Sequence, residues 1–218
     1  LEELPERFPQ KVLPMEAPVG TLTRQAAEEL GLREGIVVAE GGADAFVGML
    51  GLNVVRPGRM ALITGSSHLQ LGLSSTEFHA KGIWGTYPDA VVQGLHTVEG
   101  GQTSTGSILK WFRNNFLKQE WAEAKAQGRD VYDILNEKAA QLPPGSEGIV
   151  LLDHWQGNRT PYTDPESRGM IWGLTLRHQA HHVYRAIMEG VAFGTCLIFD
   201  TMRKAGLDLK EVYACGGP

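Results

Sequence analysis

Ile36-Val37-Val38-Ala39-Glu40-Gly41-Gly42-Ala43-Asp44-Ala45-Phe46-Val47-Gly48 is the stretch on which the fold turns. Four small apolar residues read as a short buried strand. Two glycines and a carboxylate follow, then a helix of small residues from Ala45 to Leu50 that Gly51 ends. A strand that runs through Gly-Gly-Asp into a helix places Asp44 at the C-terminal edge of a sheet, where open α/β folds bind ligands. The glycines allow close approach to the backbone. Asp44 in that place has two readings, a general base that takes a proton from an attacking hydroxyl or a helix N-cap. The local pattern leaves both open.

Upstream, residues 1–20 hold Pro5, Pro9, Pro14 and Pro18 and read as an irregular connector. Thr23 to Leu30 is helical by its apolar spacing, with Gly31 as the C-terminal cap. Downstream of the turn Arg56-Pro57-Gly58 the texture changes to strands. Met60–Thr64 and Leu69–Leu73 flank Gly65-Ser66-Ser67-His68 as a β-hairpin, and Val91–Val98 is a further strand or strand pair. Gly100-Gly101-Gln102-Thr103-Ser104-Thr105-Gly106 leads into a helix over 107–116. A polar helical region covers 118–141, Ile149–Leu152 is a strand, the longest helix runs over 179–204, and Val212–Cys215 closes with another strand. The change of texture near Val55 is the expected domain boundary. The start at Leu1 and the stop just after a strand, at Gly216-Gly217-Pro218, suggest a piece of a longer polypeptide.

Three further segments have phosphate-binding chemistry. At the hairpin tip, Gly65, Ser66 and Ser67 offer N–H and O–H donors, although an ordinary turn has the same composition. The Gly-rich segment ending at Gly106 feeds a helix N-terminus, which favours anions; a capped loop is the alternative, and neither the P-loop nor the dinucleotide fingerprint is matched. Gly216-Gly217 after a strand would let a nucleoside lie against bare backbone. Other features point to structure. His178, His181 and His182 read as a solvated helix start without a third ligand for a metal, Arg185 and Glu189 as an i, i+4 pair, Trp84, Trp155 and Trp172 as core or loop anchors, and Cys215 as a buried structural thiol.

The 218 residues are 42% apolar and 21% charged with a formal net charge of −5, an ordinary globular balance. No basic run marks a nucleic-acid binder, and no apolar stretch is long enough for a membrane span. Cys196 and Cys215 make no disulfide framework or metal motif, which fits a cytoplasmic protein.

In this order the segments resemble the FGGY family of carbohydrate kinases. The matching pieces are Gly41 to Gly48, Leu62 to Ser67, Gly100 to Gly106 with Lys110-Trp111-Phe112, Gly157-Asn158-Arg159-Thr160-Pro161 with Asp164, Arg168-Gly169, Arg185-Ala186 with Glu189 to Ala192, and Gly216-Gly217. The resemblance implies an α/β, actin-like ATPase or ribonuclease H-like fold, with residues 1–55 ending a first, sugar-binding domain and 56–218 forming most of a second, ATP-binding one. It implies Asp44 as general base, and Gly65, Ser66, Ser67, Gly106, Lys110, Gly216 and Gly217 around ATP, which would enter with Mg²⁺. The partners would be a sugar or polyol and ATP, without nucleic acid or membrane, and a homodimer is compatible with it. Ala45 stands where glycerol kinases carry Gln, and Asp44-Ala45-Phe46 is closer to the ribulokinase branch, which makes a pentulose such as ribulose the expected acceptor. A xylulose, glycerol or tetritol kinase and a non-catalytic nucleotide- or sugar-binding regulator are the alternatives. Most of the sugar pocket is expected outside this chain, and the chain alone is not expected to turn over.

Overall fold

A computed structural model describes residues 7–9 and 11–217; the predicted connector at 1–6 and 10, and Pro218, lie outside the described residues. The elements in order are β1 (Pro18–Thr21), α1 (Arg24–Leu30), β2 (Val37–Ala39), α2 (Asp44–Gly51), β3 (Gly58–Thr64), β4 (His68–Ser74), β5 (Trp84–Pro88) and β6 (His96–Gln102). They continue with α3 (Gly106–Phe116), α4 (Lys118–Gln127), α5 (Val131–Ala140), β7 (Val150–Leu152), β8 (Met170–Trp172), α6 (Ala180–Lys204) and β9 (Leu209–Gly216).

The organising unit is a five-stranded sheet in the order β5-β6-β4-β3-β9. β3 pairs in parallel with β9, and the other neighbours are antiparallel. Side chains alternate across it as the pleat demands. Ala61, Leu71 and Leu73 face α2, where Met49 and Val54 are fully buried beside them. Met60 and Val98 face the opposite way, onto Ile198 and Met202 of α6. A third cluster, built from Ile108 and Phe112 of α3, Ile134 and Leu135 of α5 and Ile187 of α6, packs the helices beyond the sheet.

Several local predictions hold for legible reasons. Thr23 caps α1 by accepting from the Ala26 N–H, and Gly31 ends it in the left-handed conformation at φ 67°. The polar region 118–141 is two helices, broken where Gly128 takes φ 63° and Asp130 accepts from the Tyr132 N–H to start α5.

Others need correction. β2 is not buried: Val37 is 62% exposed, because among the described residues its only partner strand is β1. β1 itself lies at the end of what the prolines had marked as irregular connector. Residues 91–95 turn rather than extend, with the Gly94 N–H bonded to the Asp89 carboxylate at 2.6 Å; the apolar run there reflects Val91 anchoring the turn in the α2-side core. β5, an edge strand ending at Pro88, gave no alternating signal. Finally, Gly100, Gly101 and Gln102 are strand, not loop. A Cβ at Gly100 would lie 2.7 Å from Met202 Cε and 2.8 Å from Ile198 Cγ2, so glycine there lets α6 lie close on the sheet.

Candidate active site

β3 and β4 are in register from Met60↔Gly72 to Thr64↔His68, which leaves Gly65-Ser66-Ser67 as a three-residue tip. This tip docks onto the start of α3. The Gly65 carbonyl accepts from the Gly106 N–H at 3.2 Å and from Thr105 Oγ1 at 3.2 Å, and the Ser66 carbonyl accepts from the N–H groups of Thr105 and Ser107 at 3.0 and 3.2 Å. Gly106 is required by this close approach, since a Cβ there would lie 2.5 Å from the Gly65 oxygen. The expectation of free N–H groups at the start of this helix is therefore corrected: the first ones satisfy the hairpin's carbonyls instead of waiting for an anion. Thr105 is the N-cap residue, yet its hydroxyl serves the hairpin rather than the helix. The donors that stay free are on the tip, where the Ser66 and Ser67 hydroxyls have no partner among the described residues.

The other end of the predicted nucleotide set meets the same place. β9 runs parallel to β3 and pairs Gly216 with Thr64. Gly216 has φ 115°, and a Cβ on it would lie 1.9 Å from the Thr64 carbonyl oxygen. Thr64 Oγ1 lies 3.0 Å from the carbonyl oxygens of both Cys215 and Gly217, tying the Gly-Gly segment to the base of the hairpin.

Between these segments and α6 opens a cleft of about 560 Å³. Thr64, Gly65, Thr105, Gly106 and Gly217 form one rim, and Leu109, Ile187, Met188, Val191 and Ala192 supply apolar walls. Its size and its mixture of apolar walls with a polar rim suit a small-molecule ligand. Lys110 is exposed on α3 and does not line this cleft. His68, Asn136, Tyr184, Thr195 and Cys196 do line it, and no local motif marks the first four as site residues. Tyr184 donates to Asn136 Oδ1 at 2.9 Å across the gap between α6 and α5, a pairing 48 residues apart that no local spacing reveals.

Asp44 is the first residue of α2 and is exposed. Ala43 is the N-cap and makes no side-chain cap bond; the Asp44 carboxylate accepts from the neighbouring Ala45 N–H at 2.7 Å. The capping role thus has a modest local counterpart, one position late. Gly48, one turn further, lies against Ile63, with its hypothetical Cβ 3.4 Å from Ile63 Cδ1. The residues before and at the start of α2, Gly41, Gly42, Ala43 and Phe46, line a hollow with Pro88, Asp89 and Ala90, and the Phe46 and Tyr87 rings are 5.4 Å apart. Pro88 stands level with His96 and Ser74, at the end of the sheet away from the tip 65–67, and α2 and the cleft lie on opposite faces of the sheet.

Behind the cleft is a buried polar knot. Gln102 Nε2 donates to Asp153 Oδ2 at 2.7 Å and to the Val191 carbonyl at 2.9 Å, while Gln102 Oε1 accepts from Thr195 Oγ1 at 2.7 Å and from Gln70 Nε2 at 3.2 Å. Burial pushes the Asp153 carboxyl above the usual carboxylate range, and the Gln102 hydrogen bond only partly offsets it. Glu99 and Arg159 form a second largely buried pair, with the Arg159 guanidinium also 4.9 Å above the Trp84 ring. The histidine cluster is corrected too. His182 is 7% exposed and completes a capping box with Gln179 at the start of α6, so it is structural rather than solvated. No group of three or more metal-ligating side chains occurs among the described residues. Arg185 and Glu189 pair at 2.9 Å as predicted, and Arg185 also binds the Ala139 carbonyl. Cys215 is only partly buried.

The strand order, the parallel β3–β9 pair and the helices on both faces are those of the actin-like ATPase fold, and the cleft lies at the hairpin end of the sheet, where β3 and β9 also end. Residues 60–218 match the FGGY family of carbohydrate kinases, C-terminal domain, and the chain belongs to that family. It is 38% identical over 199 residues to a ribulokinase from Shouchella clausii, covering 91% of this chain and 36% of that protein. With a ribulokinase from Halalkalibacterium halodurans it shares 36% identity over 207 residues, 94% of this chain and 37% of the relative. The chain thus spans a little over a third of the length of these relatives. Among solved structures, the xylulose kinase from Rhodospirillum rubrum superposes with a TM-score of 0.76 at 28% identity, covering 94% of this chain and 40% of that one. A Plasmodium falciparum glycerol kinase solved with ADP shares the fold at a TM-score of 0.73 and 18% identity. No described helix is long and apolar enough to cross a membrane.

Proposed function

We propose that this chain is the nucleotide-binding part of an ATP-dependent kinase that phosphorylates a hydroxyl of a pentulose such as ribulose. The observation that supports the proposal is convergence: Gly65 of the tip, Gly106 and Gly217 line one cleft together with the apolar walls of α3 and α6. In this reading residues 1–55 close the sugar-binding domain and 56–218 form the ATP-binding domain. The apolar walls of α3 and α6 take the base, and Gly216-Gly217 let the nucleoside approach bare backbone. The free hydroxyls of Ser66 and Ser67 and the tip N–H groups receive phosphate oxygens. Lys110, outside the cleft, has no part in it.

Asp44 would accept the proton of the attacking sugar hydroxyl as the γ-phosphoryl group passes to that oxygen. Its exposure suits a group that meets a substrate held by a facing domain. Mg²⁺ would arrive with the nucleotide and neutralise phosphate charge; the described residues hold no group of three or more His, Cys, Asp or Glu side chains that could bind it by themselves. The ribulokinase relatives support a pentulose acceptor, and the Rhodospirillum xylulose kinase supports xylulose as the second choice.

A panel of ribulose, xylulose, glycerol and tetritols, with ADP release followed on the full gene product that contains these residues, tests the proposal. Ribulose-dependent release is expected. Sugar-independent hydrolysis as the only activity, or nucleotide binding without turnover on any of them, would leave the non-catalytic regulator as the better account.

A further inference from the structure

No lysine or arginine lines the cleft, although its proposed occupant carries a polyphosphate. The one side chain in the lining that can become cationic near neutral pH is His68. It starts β4 at the foot of the tip, opposite Thr64 in the hairpin register, and shares the lining with Gly65, Thr105 and Gly106. Its ring is half-buried, and Nδ1 is sealed from solvent with no partner among the described residues.

We propose that His68 is a contact of the nucleotide's phosphate chain and takes up a proton as the nucleotide binds. The inference rests on the reading of the cleft as a nucleotide site. In the free protein, burial holds the imidazole below its ordinary range, with Gln102 and the charge of Asp153 opposing that shift. Asp153, reached through Gln102, is the charged group that faces it; Cys196 and Tyr184 are the other titratable groups in the lining. None of these supplies a positive charge. A bound polyphosphate does the reverse of burial: it favours imidazolium and raises the pKa. Affinity is therefore highest on the acid side and falls as pH rises through the bound-state value. In the absence of nucleotide the neutral ring avoids placing an unpaired cation beside apolar walls.

The test compares ADP affinity of the full gene product, its His68→Gln variant and its His68→Lys variant at pH 6 and pH 8. The nucleotide's own titration is common to all three and cancels in the ratios. Wild type should bind roughly tenfold more tightly than His68→Gln at pH 6, the size of a charge-assisted hydrogen bond, and about equally at pH 8. His68→Lys should keep wild-type-like binding at pH 6 and exceed wild type at pH 8. In the wild-type protein, the His68 ring signals, assigned through the sequential amides, should show its titration moving up by about a unit on ADP saturation. A wild-type to His68→Gln ratio that does not change with pH overturns the proposal, as does a His68 titration that ADP leaves in place. That NMR readout still decides if the variants fail to fold. Absence of any ADP binding by wild type would instead refute the nucleotide reading of the cleft itself.

Discussion

Replacing Gly106 with alanine is the most direct probe of how the cleft is built. The new Cβ would lie 2.5 Å from the Gly65 carbonyl oxygen and 3.3 Å from its carbon. Both are backbone atoms, so no side chain can swing aside. Either α3 retreats from the hairpin or the tip lifts. Overpacking against a fixed neighbour costs about 1–3 kcal/mol. Retreat also stretches the Gly106 N–H and Thr105 Oγ1 bonds to Gly65, both already 3.2 Å long, at about 1 kcal/mol for one bond lost. The total, about 2–4 kcal/mol, corresponds to a fall in Tm of roughly 5–15 °C for a chain of this size. Because the tip is also the proposed phosphate contact, ADP affinity should fall with it. Differential scanning calorimetry and ADP titration measure the two effects. Gly51→Ala is the control: nothing lies within 4 Å of its Cβ, and alanine there should leave Tm within about 1 kcal/mol equivalent and ADP binding unchanged. A Gly106→Ala protein that melts and binds like wild type would refute the docking of the hairpin onto α3.

Two further outcomes follow from the polar knot and the α1 cap. Asp153 holds its proton more tightly folded than unfolded, because its folded pKa is raised above 3.8. Its contribution to stability is thus present at low pH and lost as pH rises from the ordinary carboxylate value through the folded one. Asp153→Asn keeps an acceptor for Gln102 and removes the buried charge, so its Tm at pH 7 should equal or exceed wild type, with the advantage shrinking toward pH 4. A lower Tm at pH 7 would show that the ionised carboxylate is needed. Thr23→Ala removes the hydroxyl that accepts from the Ala26 N–H and should cost about 1 kcal/mol in urea unfolding; an unchanged midpoint would remove that cap from the account.

What the sequence makes legible is local or repeats at short range. The hairpin was readable because Met60–Thr64 and Leu69–Leu73 have strand character on either side of a Gly-Ser-Ser tip. α1 was readable because Thr23 and Gly31 punctuate it. Asp44 and the nucleotide segments were individually ambiguous, and only their order separated a kinase from a series of turns. The errors arise where distant residues decide. Gly100 and Gly101 read as a loop because glycine is the same letter whether it bends a chain or makes room for Met202. The α3 N-terminus was expected to be free because nothing local shows that Gly65 and Ser66 will dock there. His68, Asn136 and Tyr184 come from three different elements and meet only through the packing of α5 and α6 on the sheet. His182 looked solvated because its capping bond to Gln179 is invisible in a run of histidines.

The central claim is that Asp44, exposed at the start of α2, is the base of a kinase whose nucleotide binds in the cleft beside the hairpin tip. Asp44→Asn in the full gene product tests it most directly, because the substitution is isosteric and lies on the opposite face of the sheet from the cleft. With ribulose as acceptor, turnover should fall by a factor of about 10² or more while the Kd for ATP stays near the wild-type value. Turnover close to wild type would contradict the account by removing Asp44 from the chemistry, whatever the nucleotide affinity.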